Sequence, residues 1–164
     1  MADYKFCPQC KEDLKSVMEN GEEYQSCTND FCSFVFYDNP IPVAAAIVPV
    51  ENKIVLVQRG VMPDIGGWCL PCGYINKNED PKKAAIREVK EETGLDVVIT
   101  GILDTTKPLP HGGNRIVLFY EAIVNGGELK AGDDALDAKL FHYHEMPEIC
   151  FGSHRMVVDK YFNF

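Results

Sequence analysis

Residues 73–95 read GYINKNEDPKKAAIREVKEETGL, and the middle of this stretch has the features of a helix with defined ends. Asp80 can accept hydrogen bonds from the free amides of a first helical turn. Pro81 suits that turn because its missing N–H would have no partner there. Gly94 is typical of the residue that ends a helix. The stretch therefore predicts a helix that begins at Pro81 and ends just before Gly94.

The predicted helix carries three glutamates on one face. At about 100° per residue, Glu88, Glu91 and Glu92 share one arc, whereas Ile86 and Val89 lie well away from it. Each like-charge pair at i,i+3 or i,i+4 costs about 0.2–0.5 kcal/mol, and no lysine is placed four residues on to offset it. A bound cation would reverse that cost, and Mg²⁺ prefers carboxylate and phosphate oxygens. A metal site thus competes with the simpler interpretation of a solvated acidic face.

The spacing of these residues resembles a known signature. Positions across 73–95 match the signature box of the Nudix hydrolases without a substitution. The matching residues are Gly73, Glu79, Arg87, Glu88, Val89, Glu91, Glu92, Gly94 and Leu95. The resemblance implies an α/β (α+β) fold, in which a mixed sheet lies between helices as an α/β/α sandwich. It also implies hydrolysis of a nucleoside diphosphate linked to another group.

The same resemblance implies roles for the matching residues. Three carboxylates would bind the catalytic Mg²⁺ (or Mn²⁺): those of Glu88, Glu91 and Glu92. Glu88, or a carboxylate outside the box, would deprotonate the attacking water. Arg87 and Glu79 would pair to brace the loop–helix–loop. Cys72, where many relatives have glycine, would offer its backbone carbonyl to the metal.

Residues outside the box offer further candidates. Arg59 and Arg115 are candidate phosphate contacts because a guanidinium matches phosphate oxygens bidentately. Tyr74 is a candidate for stacking on a base. Solvated arginines and a core tyrosine are the alternatives. Four acidic residues are candidates for an auxiliary base, and the sequence does not choose among them: Glu121, Asp133, Asp134 and Asp137.

Residues 1–38 differ from the rest of the chain in carrying four cysteines and no long periodic apolar run. Two cysteine pairs have nearly the spacing of a tetrahedral zinc site: Cys7 with Cys10, and Cys27 with Cys32. Four thiolates leave no open position, so we expect a structural Zn²⁺ that stabilises a small domain, with unliganded thiols as the alternative. The segment resembles the zinc ribbon found ahead of the Nudix domain in NADH pyrophosphatases and related enzymes. Residues 39–164 would form the Nudix domain, and the ribbon could also support a homodimer.

Three further cysteines lie outside this segment. Cys69 and Cys72 form a second C-x-x-C, but a thioredoxin-type pair sits at a strand-to-helix turn, whereas this pair lies in a strand that leads into the box. Core filling is therefore preferred to a redox role. Cys150 is expected to be a buried thiol, and His142 with His144 to be structural residues on one strand face.

The remaining elements follow from apolar periodicity and turn residues. VAAAIVPV and KIVLVQR (43–50 and 53–59) predict a hairpin, and WCLPCGYI (68–75) predicts one short strand. Further strands are expected within residues 96–105, 115–124 and 137–144. A C-terminal amphipathic helix is expected over 153–162.

Composition limits the classes of protein that fit. With 164 residues and 46% apolar content, the chain can form one sizeable domain and a small appendage. No run approaches the roughly 20 apolar residues that span a bilayer, and no secretory signal is present, so we expect a cytoplasmic protein without a membrane partner. Seven cysteines there favour metal binding over a disulfide framework. The net charge of −9 repels a phosphate backbone, so long nucleic acids are not expected as partners.

These observations lead to a functional prediction. We expect a Mg²⁺-dependent pyrophosphohydrolase that releases a nucleoside monophosphate from a nucleoside diphosphate linked to another moiety, such as ADP-ribose or FAD. NADH pyrophosphatases carry a proline- and tryptophan-rich signature downstream of the box that residues 104–114 lack, which disfavours NADH. Two alternatives stay open: a pyrophosphatase of (oxidised) nucleoside triphosphates, and a non-catalytic nucleotide-sensing regulator, although such regulators commonly lose box residues.

Overall fold

The computed structural model describes residues 4–107 and 114–164, so part of the 104–114 stretch lies outside the described residues. The chain divides after Pro40 into two compact units. Within the described ranges, no helix has both the length and the apolar character needed to cross a bilayer.

The first unit contains a three-stranded antiparallel sheet in the order β1-β2-β3. Its strands are β1 (Leu14–Glu19), β2 (Glu22–Cys27) and β3 (Val35–Phe36). Asn20 and Gly21 connect the first two strands, and both have positive φ, of 53° and 87°. An Asn-Gly pair of this conformation matches the right-handed twist of a two-residue hairpin. The turn therefore sets the register that places Glu19 opposite Glu22.

The described residues of the second unit form two four-stranded sheets and two helices. The strands are β4 (Ile41–Ile47), β5 (Pro49–Val50), β6 (Lys53–Arg59), β7 (Trp68–Cys69), β8 (Cys72–Tyr74), β9 (Leu95–Thr106), β10 (Arg115–Gly127) and β11 (Ala135–Phe141). The helices are α1 (Pro81–Thr93) and α2 (Gly152–Tyr161), with a short 3₁₀ turn at Tyr143–Glu145. One sheet has the order β8-β4-β10-β9 and is mixed, because β4 and β10 run parallel. The other sheet is antiparallel, with β6 between β11 and β5 and with β7 also paired to β6.

Strand β4 lies between the two helices and is buried on both faces. Its residues Val43, Ala45 and Ile47 pack in a core cluster that includes Val157 and Val158 of α2. Its intervening alanines pack in clusters that include residues of α1. Alternation of side chains along a strand produces these two faces. The α+β fold with a mixed sheet between helices, predicted from the sequence, is confirmed.

Three local predictions were wrong. Residues 43–50 do not form one strand, since β4 joins the mixed sheet and only β5 makes the hairpin with β6. Residues 68–75 split into β7 and β8, which belong to different sheets, because Pro71 cannot donate to a ladder and its carbonyl accepts from Ala46 instead. His142 and His144 share no strand face, because β11 ends at Phe141 and the chain turns there.

Candidate active site

Helix α1 has the ends that the sequence predicts. The Asp80 side chain accepts from the amides of Lys82 and Lys83 at 2.9 and 3.3 Å. Gly94 adopts a left-handed conformation with φ of 71°, and its N–H donates to Lys90. Ala84, Ala85 and Val89 bury the opposite face of the helix against the mixed sheet. The helix is therefore fixed at both ends and along one side, and its carboxylates have defined positions.

Gly73 of β8 leaves the space that the Glu88 carboxylate occupies. A Cβ built on Gly73 would overlap the carboxylate carbon and both carboxylate oxygens of Glu88. The Glu88 side chain is 13% exposed as a result of this close packing. Only glycine can provide such an approach between a strand backbone and a side chain.

Arg87 links the glutamates of this region. Its Nε and Nη2 donate to the two carboxylate oxygens of Glu79 at 2.7 and 3.0 Å, and Nη2 also donates to the Tyr74 carbonyl. Its Nη1 donates to Glu88 at 2.5 Å and to Glu91 at 2.8 Å. Arg87 holds the pKa of Glu79 at about 2, mainly through these hydrogen bonds. The expectation of uncompensated glutamates was therefore wrong, because the arginine that precedes them supplies positive charge.

Glu92 is the most buried of the three helix carboxylates, although the sequence placed it on an open acidic face. It is 8% exposed and accepts a hydrogen bond from the Cys72 amide at 3.0 Å. Burial raises the pKa of Glu92 to about 8, and burial also raises the pKa of Glu88. A bound cation stabilises the ionised form of a buried carboxylate, because it compensates for the hydration that burial removes.

Of the four acidic candidates outside the box, Asp134 lies where it can act on this cluster. Its charge contributes to the raised pKa of Glu92, after burial and the charge of Glu88. Glu121 accepts from Tyr161 Oη at 3.0 Å, on the side of α2. Asp137 pairs with Lys139. Asp133 precedes β11 in a turn with φ of 46°.

The three candidate substrate contacts are engaged with the protein itself. Arg59 donates through Nε to the Pro63 carbonyl at 2.7 Å and lies over the ring of Phe151. Arg115 donates through Nε to Tyr74 Oη at 3.1 Å and lies over the Tyr74 ring. Tyr74 is 50% exposed, so it is not the core residue considered as its alternative.

The carboxylate cluster fits a hard divalent cation. Glu88, Glu91 and Glu92 offer oxygen donors only, which is the donor set that Mg²⁺ and Mn²⁺ prefer. The buried Glu92 has an amide as its described hydrogen-bond partner, and a cation would neutralise its charge. The donor chemistry of these residues therefore suits such an ion, but their carboxylate oxygens do not all lie within 4.8 Å of one another.

The four N-terminal cysteines also fit their expected metal. Their Sγ atoms all lie within 4.8 Å of one another, with Cys7 to Cys32 at 3.8 Å and Cys10 to Cys27 at 3.4 Å. Tetrahedral zinc with Zn–S bonds of about 2.3 Å separates its sulfurs by about 3.8 Å. The Asn29 amide donates to Cys27 Sγ at 3.4 Å, which would stabilise a thiolate there.

The structure adds one grouping that sequence reasoning missed. His154 of α2 lies with Cys69 and Cys72, and its Nδ1 accepts from the Leu70 amide. Because 84 residues separate His154 from Leu70, no local pattern signals this contact. Cys150 is partly exposed rather than buried as expected, because it lies in the loop that leads into α2.

Comparisons with known proteins agree with this geometry. Residues 40–159 match the NUDIX domain model, and the chain belongs to the NUDIX family. It is 33% identical over 132 residues to the ADP-ribose pyrophosphatase of Methanocaldococcus jannaschii, covering 79% of this chain and 78% of that protein. It is 27% identical to the NAD-capped RNA hydrolase NudC of Vibrio atlanticus, covering 88% of this chain but only 52% of that longer protein.

A solved structure extends the likeness to most of the chain. The NUDIX hydrolase of Nitrosomonas europaea superposes with a TM-score of 0.83 at 27% identity, covering 98% of this chain and 91% of that one. The predicted enzyme class, a Nudix hydrolase that acts on phosphoanhydride bonds, is confirmed by these relatives.

Proposed function

We propose that this chain is a Mg²⁺-dependent pyrophosphohydrolase that cleaves ADP-ribose or a similar dinucleotide, such as FAD, to release a nucleoside monophosphate. With ADP-ribose, water adds across the phosphoanhydride to give AMP and ribose 5-phosphate. The observation that carries the proposal is the cluster of Glu88, Glu91 and Glu92, braced by Arg87 and Glu79. The ADP-ribose pyrophosphatase relative supports the choice of substrate.

The cation would be held by Glu88, Glu91 and Glu92, with the Cys72 carbonyl as a further ligand. When bound, it supplies positive charge to the phosphate oxygens and lowers the pKa of its bound water. Arg87 keeps the carboxylates in place through Glu79 and the Tyr74 carbonyl. The Cys72 amide orients Glu92.

The proton of the attacking water would go to a carboxylate. Burial raises the pKa of Glu88, which improves its ability to accept a proton near neutral pH. Among the acidic residues outside the box, Asp134 is the alternative base, because its charge acts on Glu92. Tyr74, held by Arg115, would stack on the base of the substrate, and Arg59 would contact a phosphate after release from the Pro63 carbonyl.

Residues 1–38 would form a zinc ribbon and residues 39–164 the hydrolase domain. The sulfur separations support structural Zn²⁺ bound by Cys7, Cys10, Cys27 and Cys32. Seven cysteines, none of them in a disulfide, suit the reducing cytoplasm. A homodimer and the exclusion of long nucleic acids stay predictions from the sequence.

A hydrolysis screen with Mg²⁺ tests the proposal. The substrates are ADP-ribose, FAD, NADH, dinucleoside polyphosphates and oxidised dGTP, with Glu92→Gln as the variant. We expect AMP from ADP-ribose or FAD, and a kcat at least about 100-fold lower in the variant because a charge-stabilising group is lost. Preference for oxidised dGTP would favour the triphosphate pyrophosphatase. Tight binding of ADP-ribose without turnover of any substrate would favour the nucleotide sensor.

A further inference from the structure

A group of soft metal donors lies next to the carboxylate cluster. Cys69, Cys72 and His154 each place a ligand atom within 4.8 Å of the other two. Cys69 and His154 are 0% and 2% exposed, and Cys72 is partly buried. Cys150 packs against the core cluster that contains Cys69. Two of the seven cysteines in the chain therefore meet one buried imidazole, and a third packs beside them.

Aromatic packing and one hydrogen bond hold His154 in a single orientation. Its ring is held edge-on by Phe119 and Phe151, with centroid distances of 5.2 and 5.1 Å. Its Nδ1 accepts from the Leu70 amide at 3.3 Å, which is long for an N–H···N or N–H···O bond. Because Leu70 lies between Cys69 and Cys72, Nδ1 is directed at the turn that carries both thiols.

We propose that Cys69, Cys72 and His154 form a second metal site, separate from the N-terminal cysteines, that binds Zn²⁺ with Cys150 as the fourth ligand. Thiolate and imidazole donors in a tetrahedral set select zinc over Mg²⁺. On binding, His154 Nδ1 gives up its long bond to Leu70 and donates its lone pair to the metal. Each coordinating thiol releases its proton to solvent.

The second site meets the hydrolytic site at Cys72. The side chain of Cys72 belongs to the thiol group, whereas its amide holds the Glu92 carboxylate at 3.0 Å. A metal on Cys72 Sγ therefore fixes the strand backbone that orients Glu92. The inference concerns metal binding and does not depend on which nucleotide is hydrolysed.

Zinc content gives the first test. The reduced full-length chain is loaded with Zn²⁺ and desalted in excess Mg²⁺, so that Mg²⁺ occupies the carboxylates, and zinc per chain is measured. We expect Cys69→Ser, a change of matched size at a buried position, to hold one equivalent less than the unchanged chain. Equal zinc content in the two proteins would overturn the proposal.

A second measurement covers the case in which Cys69→Ser does not fold. In the full chain carrying Cys7→Ser, Cys10→Ser, Cys27→Ser and Cys32→Ser, the N-terminal ligands are removed and Co²⁺ is added in excess Mg²⁺. Thiolate-to-cobalt charge-transfer absorption is expected at one equivalent, since carboxylates give no such band. Adding Cys150→Ser should weaken Co²⁺ binding at least tenfold. Absence of the band in the variant that lacks only the N-terminal ligands, and so keeps Cys69, Cys72, Cys150 and His154, would refute the second site.

Discussion

At the scale of single residues, the missing side chain of Gly73 determines where the Glu88 carboxylate can sit. The carboxylate packs on the strand backbone in the volume that any Cβ would fill. Because the obstructing group would be the far end of a flexible side chain, a larger residue displaces Glu88 more easily than it unfolds the protein. The glycine therefore serves the position of a proposed metal ligand.

Gly73→Ala tests this position. We expect kcat to fall at least about 100-fold, because a charge-bearing group at the reacting centre is displaced, while the free energy of unfolding changes by less than about 2 kcal/mol. Gly101→Ala is the matched control, since a Cβ at Gly101 in β9 meets no atom within 4 Å. Steady-state hydrolysis and urea denaturation supply the two measurements. Unchanged turnover in Gly73→Ala would contradict the assigned place of Glu88.

Glu92 gives the metal-free protein a pH-dependent stability. Its pKa is about 8 in the folded chain against 4.5 for an ordinary glutamate, so the folded state binds more protons between these values. The free energy of unfolding should therefore fall as pH rises from 4.5 through 8, by on the order of 4 kcal/mol. Glu79 acts below this window, because its pKa is lowered to about 2.

Urea denaturation at a series of pH values in Mg²⁺-free buffer measures this dependence. Glu92→Gln, which keeps the shape and loses the titration, should flatten the profile between pH 5 and 8. Parallel profiles for the two proteins would show that Glu92 titrates normally. Addition of Mg²⁺ to the unchanged chain should restore stability near pH 8, since a bound cation favours the ionised form.

At the scale of elements, the cap of helix α1 contributes to stability separately from catalysis. Asp80 satisfies two amides of the first turn, and its loss leaves them without that acceptor. Asp80→Ala should lower the free energy of unfolding by about 1 kcal/mol, whereas Asp80→Asn, an equally good cap, should change it little. Thermal or urea denaturation measures the stability of the two variants. Equal stability of the alanine and asparagine variants would mean that the cap is not used in solution.

The elements also show which parts of the structure sequence can predict. Asp80, Pro81 and Gly94 act on amides within four residues of themselves, so the ends of α1 follow from local chemistry. Strand β4 separates from β5 because it pairs with β10, which is distant in sequence. A run of apolar residues does not indicate which strand it will pair with. The contact of Arg87 with Glu91 spans only four residues, so it follows from the helical spacing of an arginine and a glutamate one turn apart. The position of His154 beside Cys69 required the tertiary fold.

At the scale of the whole molecule, we expect the first unit to depend on its proposed Zn²⁺ more than the second unit depends on any metal. A segment of about 40 residues buries too little apolar surface to fold without a metal or disulfides. Its described core contains Cys7 and Cys27 rather than large side chains. The sulfur cluster therefore replaces a hydrophobic core.

Hydrogen exchange measures this dependence directly. After a zinc-selective chelator removes the metal, we expect amides of β1–β3 to lose protection at least about tenfold, because local structure opens when its stabilising ligand is gone. Amides of β4 and α1 serve as the internal reference and should keep their protection. Retained protection in β1–β3, with zinc loss verified by metal analysis, would contradict a structural role for the metal.

Arg87 has a consequence for how the enzyme responds to its ionic surroundings. Its guanidinium already contacts Glu88 and Glu91, so repulsion between these side chains is offset before any divalent ion arrives. We therefore expect binding of the proposed Mg²⁺ to be an exchange, in which the ion competes with the Arg87 guanidinium for the same carboxylate oxygens. We expect such competition to raise the apparent dissociation constant for the divalent ion, so that a higher ion concentration is needed before the second unit turns over substrate.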